Sequence, residues 1–247
     1  MKRSPLNRTF LSAHWRWLVM LNWRIDPEVL KGDVPAGTEL DFFGGQTYVS
    51  LVGFLFQKTR LLGVPVPFHR NFEELNLRFY VHRDEDDERR RGVAFISELV
   101  PKRAIATIAR RFYNENYVAL PMHHDVSVNS DLEAIDVKYG WQKHGKCNHV
   151  RASGLGKPQA LIPGSLEKFI AEHYWGYSAQ RDGTTLEYRV RHDPWCIWQA
   201  QDVEIDCDMG TQYGSRFASF LSRPPESAFI ADGSPITVSF PRRLPGN

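Results

Sequence analysis

One segment of the sequence alternates polar and apolar residues, and its polar positions carry side chains that can bind a small molecule. Residues 72–82 read Phe-Glu-Glu-Leu-Asn-Leu-Arg-Phe-Tyr-Val-His. A period of two predicts a β-strand whose successive side chains point to opposite faces. Glu74, Asn76 and Arg78 then share one face, and an arginine in a partly apolar cavity can hold a carboxylate through two hydrogen bonds. The alternative is that this face meets solvent, as in many half-buried antiparallel strands.

A second group of hydrogen-bonding side chains lies at 113–117, where the sequence reads Tyr-Asn-Glu-Asn-Tyr. It follows residues 104–113, whose apolar positions recur at helical spacing. Loops next to helices often carry functional residues. We therefore predict ligand-binding roles for Tyr113, Asn114, Asn116 and Tyr117, and an acid–base role for Glu115. The alternative is an ordinary helix end and turn, where Asn is favoured.

The elements that must position these residues are mostly strands. We predict a buried strand within residues 1–22 and further strands near 37–57, 72–82, 92–99, 117–127, 133–141, 147–153, 184–192, 198–206 and 235–240. N-cap residues predict short helices that begin after Asp26 and after Ser165, the second ending near Tyr174. The charged segment Arg83 to Arg91 is typical of a solvated hairpin tip.

This pattern predicts an α+β fold that is mostly β, with a curved antiparallel sheet or closed β-barrel and two or three packed helices. No repeat or linker divides the chain, so we expect a single domain over residues 1–247.

Composition excludes several classes of function. The net charge of +2 is too small to indicate nucleic acid or a membrane surface as a partner. The apolar run near the start of the sequence lies between Arg16 and Asn22. It is too short for a signal peptide or a membrane-spanning segment. Three cysteines without disulfide or zinc spacing favour a reducing cytoplasm and no metal. No glycine-rich phosphate loop or G-x-S-x-G motif is present, so no cofactor is predicted.

Several stretches together resemble a known family. They are Leu30 to Asp41, the F-x-E-x-N-x-R-x-Y-V pattern from Phe72 to Val81, Gly92 to Phe95, Ala119 to Met122, and the H-x-P-W segment His192 to Trp195. The chain resembles the YqjF-like uncharacterised family, domain of unknown function 2071, which belongs with the acetoacetate decarboxylase-like fold. The resemblance covers most of the chain, and none of its motifs names a reaction. Proteins of this fold often assemble, so a homo-oligomer is expected.

Acetoacetate decarboxylase uses a lysine that forms a Schiff base with a β-keto acid, beside an arginine and a glutamate. The resemblance implies Arg24 as the pocket arginine, from Asn22 to Asp26, and Glu74 as the pocket glutamate. If the two sequences are aligned at Glu98-Leu99, the resemblance implies Lys102 as the nucleophile, with Arg103 lowering the lysine pKa. Aligned from Tyr117 to Met122, the position falls within 113–117, which contains no amine.

Two classes of function follow from the predicted small-molecule pocket. The first is an enzyme without metal or organic cofactor. It would be a lyase or decarboxylase that uses Lys102, or an acid–base enzyme that uses Glu74 or Glu115. The second is a non-catalytic binding or structural domain that keeps only the cavity.

Overall fold

The computed structural model describes residues 5–101, 116–129, 131 and 133–244. The helix predicted at 104–113 lies outside these residues. So do four of the predicted site residues, which are Lys102, Tyr113, Asn114 and Glu115.

Strands dominate the described residues, as the sequence predicts. In chain order they are β1 (Thr9–Ile25), β2 (Glu39–Leu40), β3 (Thr47–Leu61), β4 (Val64–Pro65), β5 (Phe72–Glu85), β6 (Glu88–Val100), β7 (Tyr117–Ala119), β8 (Met122–Asn129), β9 (Ala134–Lys143), β10 (Lys146–Leu155), β11 (Gln159–Ala160), β12 (Trp175–Ala179), β13 (Thr185–His192), β14 (Cys196–Asp206), β15 (Ser227–Ala231), β16 (Pro235–Ser239) and β17 (Arg242–Leu244).

The helices are short. Besides a 3-10 turn at Pro5–Asn7, they are α1 (Pro27–Leu30), α2 (Leu166–Ala171), α3 (Met209–Tyr213) and α4 (Ser215–Leu221). Asp26 caps α1 and Ser165 caps α2, because their side chains accept backbone N–H groups of the first turn. The second helix ends at Ala171 rather than near Tyr174. Within the described part of the chain, no helix has the length and apolar character needed to cross a membrane.

Seven strands pair in a closed circuit, which confirms the predicted mostly-β architecture. β1 pairs with β3, β3 with β5, β5 with β6, β6 with β12, β12 with β13, β13 with β16, and β16 returns to β1. The β6–β12 and β6–β7 pairings are parallel, so the sheet is mixed rather than wholly antiparallel. Closure gives these strands an inner and an outer face.

A second layer covers part of the outer face. Strands β8, β9, β10 and β14 pair antiparallel in that order. Their buried Tyr139 and Trp141 share one apolar core with Leu75, Leu77 and Phe79 of β5. The period-two prediction for β5 is therefore confirmed on its apolar side, and its polar side faces the interior of the circuit.

The charged β5–β6 hairpin differs from its prediction as a solvated tip. Asp86 and Asp87 form the exposed turn, but Arg83 and Arg90 each contact two carboxylates, Glu85 and the fully buried Glu187 of β13. Arg242 of β17 contacts both carboxylates as well. The sequence could not indicate this cluster, because Glu187 and Arg242 come from strands far along the chain.

Candidate functional site

A cavity of about 270 Å³ lies inside the closed circuit of strands. Ligand pockets usually have volumes of about 300–1,000 Å³, so this cavity suits a small organic molecule. One part of its lining is polar, and its members are Glu74, Asn76, Arg78, Glu98, Tyr117 and His173. The rest is mainly aromatic and aliphatic and comes largely from β1, β3, β13 and β16.

A bulge in β6 brings Glu98 to the polar wall. Leu77 pairs with Ser97, but the next residue, Arg78, pairs with Phe95, so Ile96 is an extra residue in the strand. Such a bulge reverses which residues face inward. Phe95 lines the cavity before the bulge, and Glu98 lines it afterwards, beside Asn76. Simple alternation along β6 could not predict this position.

Glu74 is a buried carboxyl group held by two neighbours. Asn76 donates from Nδ2 to Oε1 at 3.0 Å, and the Tyr117 hydroxyl donates to Oε2 at 3.2 Å. Burial raises the pKa of Glu74 to about 7, although these two hydrogen bonds and the charge of Arg78 oppose the shift. Near neutral pH the group can therefore carry or release a proton inside the cavity.

Replacing Glu74 with glutamine is expected to remove a pH dependence from the free energy of unfolding. The carboxyl pKa is higher in the folded protein, about 7, than its ordinary 4.5. As the pH rises, the unfolded chain therefore loses this proton first, and the wild type loses stability relative to the variant between about pH 5 and pH 8. Denaturant unfolding across this range measures the difference. Glu88→Gln, at an exposed position, is the control, and a Glu74→Gln difference that stays constant with pH would contradict the shift.

Arg78 contributes a cation without a carboxylate partner. Its residue is only 8% exposed, and its Nε is buried without a hydrogen-bond partner. Its guanidinium lies 5.8 Å from the ring centroid of Tyr80. Among the described residues it forms no ion pair, in contrast to the arginines around Glu187. A buried guanidinium that forms no ion pair can accept an anion through its N–H groups.

His173 and Asp41 form a second polar unit at the cavity. Asp41 accepts hydrogen bonds from Arg91 Nε at 2.6 Å and from His173 Nε2 at 3.2 Å. Burial alone would raise the pKa of Asp41, but these two bonds outweigh it and hold that pKa at about 2. Burial lowers the pKa of His173 to about 4, so its ring is neutral at pH 7. With the proton on Nε2, the ring keeps a lone pair on Nδ1, which is buried without a described partner.

Of the predicted site residues that the structure describes, four line the cavity, whereas Asn116 and Arg24 do not. Glu74, Asn76, Arg78 and Tyr117 come together in the cavity lining. Asn116 is exposed, and its backbone carbonyl accepts from the Glu98 N–H at 3.1 Å, so it supports the β6–β7 pairing.

Arg24 does not line this cavity. It lies near the end of β1, paired with Tyr48, and contacts Glu226 at 2.7 Å with 53% of its side chain exposed. It lines a separate surface cleft with Glu226. The position of Arg24 in β1 places it at the rim of the strand circuit, where its charge is paired and solvated.

Glu98, His173 and His192 also line the cavity, although they are not among the predicted site residues. Glu98 was hidden by the bulge, and His173 joins Asp41 across 132 positions of sequence. His192, from the H-x-P-W segment, stacks on Trp195 with ring centroids 4.2 Å apart. Of these three residues, only His192 belongs to a sequence motif, the H-x-P-W segment. Across the described residues, no group of His, Cys, Asp and Glu has the arrangement of a metal site.

Comparison with solved structures defines the fold of this chain. It aligns with an acetoacetate decarboxylase-like enzyme from Sphingomonas wittichii RW1 at a TM-score of 0.66 and 15% identity, covering 97% of this chain and 94% of that one. The enduracididine biosynthesis enzyme MppR, complexed with pyruvate, aligns at a TM-score of 0.65 and 14% identity, covering 99% and 94%. The architecture is therefore the acetoacetate decarboxylase-like fold.

Sequence comparison assigns the family. The model for domain of unknown function 2071, described as an uncharacterized conserved protein, matches residues 12–235. The chain belongs to this family. It is also 28% identical over 200 residues to the uncharacterized protein YqjF of Bacillus subtilis strain 168, covering 80% of this chain and 77% of that protein. The predicted resemblance is thus confirmed.

Proposed function

We propose that this protein binds a small organic carboxylate or carbonyl compound in the cavity, with Arg78 as the anion-binding group. The observation that carries the proposal is the burial of Arg78 in the cavity wall without an ion pair among the described residues. An unpaired buried charge is costly, and a bound carboxylate would satisfy it through two parallel hydrogen bonds.

The neighbours of Arg78 support an anionic ligand. Glu74 is largely protonated below its pKa of about 7, so it adds little negative charge beside the ligand in mildly acidic solution. The lone pair on His173 Nδ1 and the amide of Asn76 provide further hydrogen-bonding groups for a carbonyl or hydroxyl. These groups can orient a ligand whether or not a reaction follows.

A matched pair of ligands tests the proposal. At pH 6, octanoate is expected to bind at least about tenfold more tightly than octanamide, because a charge-assisted hydrogen bond contributes more than a neutral one. The two molecules have nearly the same shape, so calorimetric titration isolates the effect of the charge. Equal affinities for the acid and the amide would contradict a carboxylate site.

A lyase or decarboxylase that acts on a keto acid is a second candidate. Strand β6 carries Glu98 into the cavity wall and ends at Val100, and Lys102 follows two residues later. The amine of Lys102 would attack the keto carbon and lose water to form an imine, which then accepts electrons as carbon dioxide leaves. Similarity of fold alone does not carry this activity to the chain.

Reductive trapping tests this second candidate. If an imine forms, borohydride with pyruvate is expected to leave a covalent adduct on the peptide that contains Lys102. Lys102→Ala removes the adduct, whereas Lys31→Ala, at an exposed lysine, keeps it. If the wild type gains no adduct with pyruvate or acetoacetate, the lysine mechanism is excluded and a binding role remains.

We also propose the cytoplasm as the location of the protein, because Cys147, Cys196 and Cys207 are all free thiols.

Assembly into a homo-oligomer stays a prediction from the fold, to be tested by the mass of the protein in solution.

A further inference from the structure

We propose that the ligand of this cavity is a carboxylate with an extended apolar body, such as a medium-chain fatty acid, rather than a small polar keto acid. This inference rests on the proposed function, because it takes the carboxylate at Arg78 as given. It adds the chemical class of the rest of the ligand.

The first support is the aromatic wall beside the polar groups. Phe56 and Phe72 stack with ring centroids 4.6 Å apart, and Trp15 packs edge-on against Phe54 at 5.2 Å and against Phe56 at 5.9 Å. All four side chains line the cavity. Their mutual packing fixes the wall, so it offers a rigid and largely apolar surface. The indole Nε1 of Trp15, which is buried without a hydrogen-bond partner among the described residues, is the one donor that these four side chains carry.

The second support is the separation of polar and apolar groups along neighbouring strands. On β5 the polar residues are Glu74, Asn76 and Arg78, and the next inward residue towards the start of the strand is Phe72. The pairing of β5 with β3 sets Glu74 beside Phe54 and Phe72 beside Phe56. A ligand held at Arg78 and lying along β5 towards Phe72 therefore leaves the polar groups and enters the aromatic region.

The length of this path favours an elongated body. The aromatic region begins at Phe54, which pairs with Glu74 four positions from Arg78, and this corresponds to about 13 Å of strand. The remaining polar lining on this side, Thr59 and His69, lies further on, near the β3–β4 hairpin. A small polar acid would leave the aromatic part of the cavity unfilled. A polar body placed there would lose more hydrogen bonds to water than the few polar groups of this region could replace.

A series of straight-chain acids tests this inference. Dissociation constants for butanoate, hexanoate and octanoate are measured by calorimetry at pH 6, with pyruvate as the small keto acid. Affinity is expected to rise about fourfold for each added methylene, since each buried methylene contributes ~0.8 kcal/mol. The heat-capacity change of binding becomes more negative along the series, as burial of apolar surface requires. Pyruvate binds more weakly than octanoate.

The Arg78→Met variant separates this inference from the proposed function. Loss of the guanidinium weakens all the acids by a similar factor and leaves the dependence on chain length unchanged. If butanoate and pyruvate bind as tightly as octanoate and all are weakened in the variant, the carboxylate site stands and the apolar body is wrong. If none of the acids binds to the wild type, both proposals fail.

Discussion

Replacing Arg78 with methionine is expected to weaken octanoate binding at least about 30-fold, which corresponds to ~2 kcal/mol. Methionine keeps much of the aliphatic length of the arginine side chain and removes its charge and its hydrogen-bond donors. The carboxylate of the ligand would then be buried beside Glu74 and Glu98 without a cation from Arg78. Calorimetric titration of octanoate into wild type and variant measures the loss.

The fold of this variant is expected to persist. Arg78 forms no ion pair among the described residues, so its removal leaves no carboxylate without a salt-bridge partner there. A buried charge without an ion-pair partner carries a desolvation penalty that the apolar methionine side chain does not. Arg70→Met is the matched control, because Arg70 is exposed and does not line the cavity. Equal octanoate affinities in the two variants would contradict the role of Arg78.

Replacing Glu187 with glutamine is expected to destabilise the protein by about 3 kcal/mol or more. The Glu187 side chain is fully buried and accepts from Arg90 at 3.3 Å and from the Tyr177 hydroxyl at 3.4 Å, with Arg83 at 3.6 Å and Arg242 in closer contact. When Glu187 loses its charge, the guanidinium groups of Arg83, Arg90 and Arg242 are left with Glu85 as their principal carboxylate partner. Denaturant unfolding measures the change in free energy.

An exposed glutamate on the same hairpin provides the control. Glu88 contacts Arg90 at 3.2 Å, but 55% of its side chain is exposed. Surface ion pairs of this kind contribute about 0–1 kcal/mol, so Glu88→Gln should change stability little. Equal losses of unfolding free energy in the two variants would show that the burial of Glu187 does not determine how much this cluster of charges stabilises the protein.

The sequence predicts the features of this protein that depend on neighbouring residues. The period of two in β5 identifies both its apolar face in the outer core and the polar face of Glu74, Asn76 and Arg78. The N-caps Asp26 and Ser165 likewise act within one helical turn. In each case the physical signal lies within a few positions along the chain.

Other features depend on contacts that the sequence does not display. The bulge at Ile96 reverses the face of Glu98, and one inserted residue in a strand has no compositional signature. Asp41 and His173 meet only after the strand circuit closes. Local similarity around Arg24 gave a plausible register, but the end of β1 carries this side chain to the rim.

The crystal structure of a complex with 8-bromooctanoate tests the central claim most directly. Anomalous scattering locates the bromine, and the electron density locates the carboxylate. We expect the carboxylate within hydrogen-bonding distance of the Arg78 guanidinium, and the bromine among the aromatic side chains between β1, β3 and β5. A ligand bound outside the cavity, or one whose carboxylate faces away from Arg78, would contradict this claim.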